Sequence, residues 1–168
     1  ALGNSYAITQ GTSVIAIGSP LGANYSILCG TIISSQNTVS TIDTNYTIFT
    51  TDIIGSENGS GVLINLDGEV IGLVLQDYSN PNNRNTVTAL SISELKQVIE
   101  DLSNNRDIPY VGLRISTVTN EIAQEYGIPQ GVYIKSVELD SPAMAAGLQE
   151  ADVITAINGE EIINVGQY

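Results

Sequence analysis

The sequence predicts a mainly β chain in two parts: an antiparallel barrel or sandwich, then a smaller unit that alternates strands with short helices. Three observations carry this. Short β-branched runs recur between turn signals through residues 1 to 90. The composition changes near residue 104, and Asn158-Gly159 separates two strand-like runs as a two-residue hairpin turn.

The first part reads as strands at Ser13–Ile17, Ile27–Ser34, Tyr46–Thr51, Gly61–Asn65, Glu69–Leu75 and Thr86–Leu90. Gly18-Ser19-Pro20, Leu66-Asp67-Gly68 and the polar stretch 77–85 supply the turns between them. One helix closes this part. Ser91 and Glu94 are spaced as a capping box, Leu90 and Leu95 as a hydrophobic staple, and Leu95, Val98, Ile99 and Leu102 recur at helical spacing.

Ser103-Asn104-Asn105-Arg106-Asp107 reads as a polar linker. Beyond it, Gly112–Val118 and Gly131–Glu138 are strand candidates. Thr119 can cap a short helix that ends at Gly127. Ser141-Pro142 supplies an N-cap with proline at the first helical position, and Gly147 ends that turn. Asp152–Ile157 and Glu161–Asn164 form the hairpin across Asn158-Gly159. No strand or helix follows Tyr168, so this unit is read as incomplete at its C-terminus.

Composition narrows the chemistry. The 168 residues are 42% hydrophobic and only 14% charged, which excludes a disordered acidic tail. No apolar stretch is long enough to span a membrane as a helix. A net charge of −13, with 5 Lys plus Arg against 18 Asp plus Glu, argues against nucleic acid or an anionic membrane surface as partner. There is no histidine, so no complete Ser-His-Asp or Cys-His site fits within these residues. With Cys29 as the single cysteine, neither an internal disulfide nor the usual zinc ligand set is available, and no metal or cofactor is expected.

Taken in order, the motifs resemble the HtrA/Deg family of trypsin-like serine proteases with a C-terminal PDZ domain. The residues that carry the resemblance are Ala1-Leu2-Gly3-Asn4-Ser5, Val14 to Gly22, Gly30 to Ser34, Thr51-Asp52, Gly59-Ser60-Gly61 and Asn65 to Gly72. In the second part they are Tyr110-Val111-Gly112-Leu113, Ser141-Pro142-Ala143, Ala146-Gly147-Leu148, Asp152-Val153-Ile154 and Asn158-Gly159. The resemblance covers nearly the whole chain. It implies that residues 1–103 are the second β-barrel of a chymotrypsin-fold protease with its closing helix, 104–109 a linker, and 110–168 a truncated α+β PDZ domain. The catalytic His and Asp would lie upstream, so the fragment by itself is expected to be inactive.

The resemblance also assigns roles. Ser60 is the candidate nucleophile: it lies eight residues after Asp52, and its glycine neighbours suit a tight turn. The backbone amides of Asn58, Gly59 and Ser60 are the candidate oxyanion donors. The family's usual string is GNSGGP, whereas this chain reads Asn58-Gly59-Ser60-Gly61-Val62. It has Asn58 two before the serine, lacks a residue after Gly61, and lacks the proline. A non-catalytic peptide-binding or sensing protein with a degenerate loop is therefore the alternative reading.

Leu75, Gln76 and Asp77 match the segment that pairs a substrate backbone as an added strand. Tyr110, Val111, Gly112 and Leu113 match the loop that captures a peptide's C-terminal carboxylate, with Leu113 and Ile115 lining the groove. The implied partners are unfolded polypeptides and peptide C-termini, with a homotrimer as the family's habitual assembly. The implied location is extracytoplasmic, with membrane anchoring through a missing N-terminal segment. Glu160-Glu161 and Glu100-Asp101 read as solvated surface, and Lys96 and Lys135 are poorly placed for a Ser-Lys dyad.

Overall fold

The computed structural model describes residues 1–22, 25–75 and 85–168. They form two compact units, Ala1–Val39 with Tyr46–Asp107, and Ser40–Asn45 with Ile108–Tyr168. Six strands build the first unit: β1 (Ser13–Ser19), β2 (Ser26–Ser40), β3 (Asn45–Ile54), β4 (Ser60–Ile64), β5 (Val70–Leu75) and β6 (Thr86–Ser91). Their order, β1-β2-β3-β6-β5-β4, closes on itself, because β1 pairs antiparallel with β2 on one side and β4 on the other. Of the two expected forms, the barrel is the one adopted.

Its interior follows the period-2 pattern of a strand with one buried face. Val14 and Ala16 of β1, Phe49 and Ile53 of β3, and Val87 and Ala89 of β6 point inward with Ile32, Leu63, Ile71 and Val74. Thr51 lies in the same inward row. Its hydroxyl donates to the Val87 carbonyl at 2.9 Å, which satisfies that buried group. β2 runs six residues beyond the expected Ser34. Gln36, Asn37 and Thr38 are exposed and polar, so hydropathy gives no sign of a strand that backbone pairing nonetheless extends.

The closing helix α1 (Ile92–Ser103) packs Ile92 and Leu95 with Ile48 and Leu90. The expected capping box does not form. Ser91 occupies the N-cap position without a side-chain cap bond, and its hydroxyl is instead 2.7 Å from that of Ser5. Glu94 accepts from the Thr47 amide at 2.6 Å and the Thr47 hydroxyl at 2.7 Å. The cap comes from a distant segment: the Ser93 amide donates to Ser5 Oγ at 2.8 Å, and the Ser5 amide donates to Ser93 Oγ at 2.9 Å. This is the reciprocity of a capping box, closed across 88 residues.

The second unit holds a three-stranded antiparallel sheet of β7 (Leu113–Val118), β8 (Gly131–Val137) and β9 (Val153–Ile154), in that order. The run expected as one hairpin strand is divided. Val153–Ile154 pairs with β8, while β10 (Ala156–Ile157) pairs with β11 (Glu160–Glu161) across Asn158 and Gly159. Those two residues have φ of 52° and 85°, the left-handed pair that a tight hairpin turn requires. Thr119 caps α2 (Asn120–Tyr126), which ends at left-handed Gly127. Ser141 caps α3 (Pro142–Ala145) by accepting from the Met144 amide at 3.1 Å. Leu113, Ile115, Val132, Ile134, Ala143 and Ile162 form the core.

Replacing Ser5 by Ala is expected to cost about 1–2 kcal/mol, since it strips a buried cap from α1 and leaves Ser91 without its partner. Urea unfolding of Ser5→Ala beside Ser91→Ala checks this. A loss in Ser91→Ala alone would show that the local residue caps the helix after all.

Candidate functional site

Each unit presents its own candidate site. In the barrel, Ser60 opens β4 as an exposed residue, opposite Ser19 of β1 and Leu75 of β5. Next to it Gly61 faces Gly18, with φ of 141° and 136°. A Cβ on Gly61 would run into the Ile17 carbonyl oxygen, and one on Gly18 would lie 2.7 Å from the Gly61 Cα. Both positions therefore require glycine for conformation and for space.

The loop before Ser60 is tied down on three sides. The Ser56 amide donates to the Pro20 carbonyl at 2.9 Å, the Gly55 amide to Asn85 at 2.8 Å, and the Gly59 amide to Ser56 at 2.7 Å. That last bond matters for the oxyanion assignment. In this conformation one of the three candidate donors, Gly59, is committed within its own turn.

The Asp52 carboxylate accepts from the Thr31 amide at 2.6 Å and from the Thr31 hydroxyl at 2.8 Å. The amide bond first, then the hydroxyl bond, holds this exposed carboxyl below its ordinary value of 3.8. Asp52 thus braces β3 against β2. Its oxygen also fills the space where a side chain at position 30 would stand, which accounts for Gly30.

Of the expected substrate strand, Leu75 ends β5, while Gln76 and Asp77 lie outside the described residues. β5 is flanked by β4 and, from Gly72 to Val74, by β6. From Gly72 to Val74 both edges of β5 are therefore taken, and no substrate backbone can add there.

In the second unit the loop at Tyr110–Leu113 gathers three consecutive amides on one carboxylate. The Val111 amide donates to Asp43 Oδ2 at 2.8 Å, Gly112 to both Asp43 oxygens at 2.9 Å, and Leu113 to Oδ1 at 2.8 Å. Successive N–H groups converging on one point form a concave anion site. Gly112 has φ of 92°, and a Cβ there would collide with the Ser141 side chain.

The Asp43 amide donates to the Leu113 carbonyl at 2.6 Å, Ile42 bridges antiparallel to Arg114, and Ser40 Oγ donates to the Ile115 carbonyl at 3.0 Å. Among the described residues the buried Tyr168 hydroxyl has no hydrogen-bond partner. Burial raises its pKa, and the negative charge of Asp43 adds to the rise. Sequence reasoning missed Asp43. Its only local sign is an acidic residue in a turn between two strand-like runs, which is commonplace.

A closed antiparallel barrel with a Gly-Ser-Gly at the head of β4, together with a small α+β unit whose Tyr110–Leu113 loop cradles a carboxylate, defines a trypsin-like barrel combined with a PDZ domain. The PDZ-domain family model matches residues 133–168. The chain is homologous over nearly its whole length to DegP-like serine endoproteases of the HtrA type. It is 33% identical to a probable periplasmic serine endoprotease DegP-like of Marinomonas sp. (strain MWYL1), over 99% of this chain and 36% of that protein. With the protein of the same description from Hahella chejuensis (strain KCTC 2396) it shares 35% identity, over 96% of this chain and 35% of the relative.

The chain thus spans about a third of the length of the curated relatives it matches. Among solved structures it resembles the HtrA-type protease AlgW with tripeptide, at 25% identity and a TM-score of 0.64, covering 96% of this chain and 56% of that one. AlgW with decapeptide gives 24% identity and the same TM-score, over 97% and 52%.

The Thr31–Asp52 brace gives a pH prediction. A carboxyl with a lowered folded pKa contributes stability that is present above its ordinary value of 3.8 and lost as pH falls through the folded value. Asp52→Asn is therefore expected to lower the urea midpoint at neutral pH, with the gap to the parent narrowing as the pH falls below 3.8. A gap that stays constant with pH would remove the electrostatic account.

Proposed function

We propose that the chain is the C-terminal barrel and peptide-binding unit of an HtrA-like serine endopeptidase that hydrolyses misfolded or exported polypeptides outside the cytoplasm. The observation that carries the reading is the convergence of the Val111, Gly112 and Leu113 amides on a carboxylate. Such a cradle suits the free C-terminus of a peptide whose preceding residues add to the edge of β7. The periplasmic descriptions of the relatives support the location.

In the barrel, Ser60 would attack the scissile carbonyl, with a histidine from the preceding barrel as base. The amides at positions 58 to 60 would stabilise the oxyanion, for which the Gly59 amide has to leave the Ser56 carbonyl. Leu75, with Gln76 and Asp77, would carry the substrate backbone. Domain boundaries at 1–103, 104–109 and 110–168, and assembly as a homotrimer, belong to the same proposal. A second reading, a non-catalytic peptide-binding or sensing protein, is favoured by one observation: Gly59 is committed to its turn while Ser60 is already paired in β4.

Reactivity separates the two. With a preceding barrel supplied, a serine-directed fluorophosphonate is expected to label Ser60. Ser60→Ala should abolish labelling and lower cleavage of an unfolded substrate by about a thousandfold or more. Absence of both labelling and cleavage in folded protein supports the non-catalytic reading instead.

A further inference from the structure

We infer that this chain carries its own ligand for the peptide-binding unit: the segment Ser40–Asp43 lies on the edge of β7 as a peptide C-terminus would, and the Asp43 side chain replaces the terminal carboxylate. The inference rests on the proposed reading of Tyr110–Leu113 as a carboxylate-capturing loop, and it adds a built-in competitor to that site.

The substitution is complete in its hydrogen bonds. Both Asp43 oxygens are held by the Val111, Gly112 and Leu113 amides, and the Asp43 amide returns a bond to the Leu113 carbonyl. One residue back, Ile42 bridges antiparallel to Arg114, and Ser40 reaches the Ile115 carbonyl. β7 has β8 on its other side, so this is its open edge, the place where strand addition occurs.

A main-chain carboxylate cannot serve here, because the chain continues through Thr44 and Asn45 into β3. Asp43 solves the geometry with a left-handed backbone, φ 61°, which turns the main chain away while its side chain enters the cradle. Aspartate is among the few non-glycine residues that adopt this conformation readily. The second unit itself includes Ser40–Asn45, as an internal ligand should. The charged carboxylate also lies near the buried Tyr168 hydroxyl.

The consequence is competition. A peptide can bind only in the fraction of molecules whose cradle Asp43 has left, and its apparent Kd rises in inverse proportion to that fraction. Because the competitor is tethered, its effective concentration is on the order of millimolar, well above that of a dilute free peptide. The device sets a threshold: weak C-terminal ligands are excluded, while tight or abundant ones displace Asp43.

The test measures binding of a fluorescent peptide that ends in a hydrophobic residue with a free carboxylate, against its C-terminally amidated form. The proteins are the 168-residue chain, Asp43→Ala and Asp43→Asn, each with its fold checked by circular dichroism. Asp43→Ala is expected to bind the free-acid peptide about tenfold or more tighter than the parent, with no gain for the amide. Asp43→Asn keeps the backbone bond to Leu113 and removes the charge, so it gains affinity too and serves should the alanine variant not fold.

In the parent, titration with the free-acid peptide is expected to shift the carboxyl-carbon NMR signal of Asp43. Equal affinity in parent and variants, with free acid preferred over amide, overturns the internal ligand and leaves the carboxylate loop standing. Folded variants that bind neither peptide, or bind both equally, overturn the carboxylate loop and the internal ligand together.

Discussion

Closure of the barrel between β1 and β4 depends on two opposed glycines. At the Gly18–Gly61 pair the backbones approach so closely that neither residue can carry a Cβ, and both take φ values that side chains disfavour. That single register brings Ser19, Ser60 and Leu75 side by side at one end of the barrel. It removes the free edges that an open sheet would expose. The position of Ser60 is thus a consequence of closure and does not require a separate structural device. β5 is paired with β4 on one side and, from Gly72 to Val74, with β6 on the other.

Charge is handled by backbone amides in both units, which suits a chain with 18 acidic and 5 basic residues. Asp52 is held by Thr31, Glu94 by Thr47, and Asp43 by three amides of one loop. With so few cations available, backbone N–H groups take the place of cations at these three carboxylates. The difference among the three is what they tie together. Asp52 and Glu94 fasten neighbouring elements of the barrel, whereas Asp43 fills a site whose chemistry fits a ligand.

The likeness to HtrA-type proteins and the local geometry around Ser60 place different demands on the same loop. The proposed acyl-transfer reading needs a nucleophile presented at the head of β4 and free amides around it. The loop as folded commits the Gly59 amide to Ser56 and enters Ser60 directly into the strand ladder.

Features decided within a few residues were legible in the sequence. The inward rows of β1, β3 and β6, the caps at Thr119 and Ser141, and the left-handed turn at Asn158-Gly159 all follow from side-chain period or cap chemistry over short spans. The Tyr110–Leu113 loop was legible as a family motif. Features that join distant residues were not. The cap of α1 comes from Ser5, 88 residues away, while the Ser91 hydroxyl is engaged with that of Ser5.

β2 extends through polar residues because its ladder is made of backbone bonds, which hydropathy does not record. Asp43 meets Gly112 across 69 positions. The sequence by itself determined the strands, turns and local caps, since each is encoded by neighbours in the chain. Only the tertiary structure decided barrel closure, the remote cap and the occupant of the carboxylate cradle, since these depend on groups that folding alone brings within hydrogen-bonding distance.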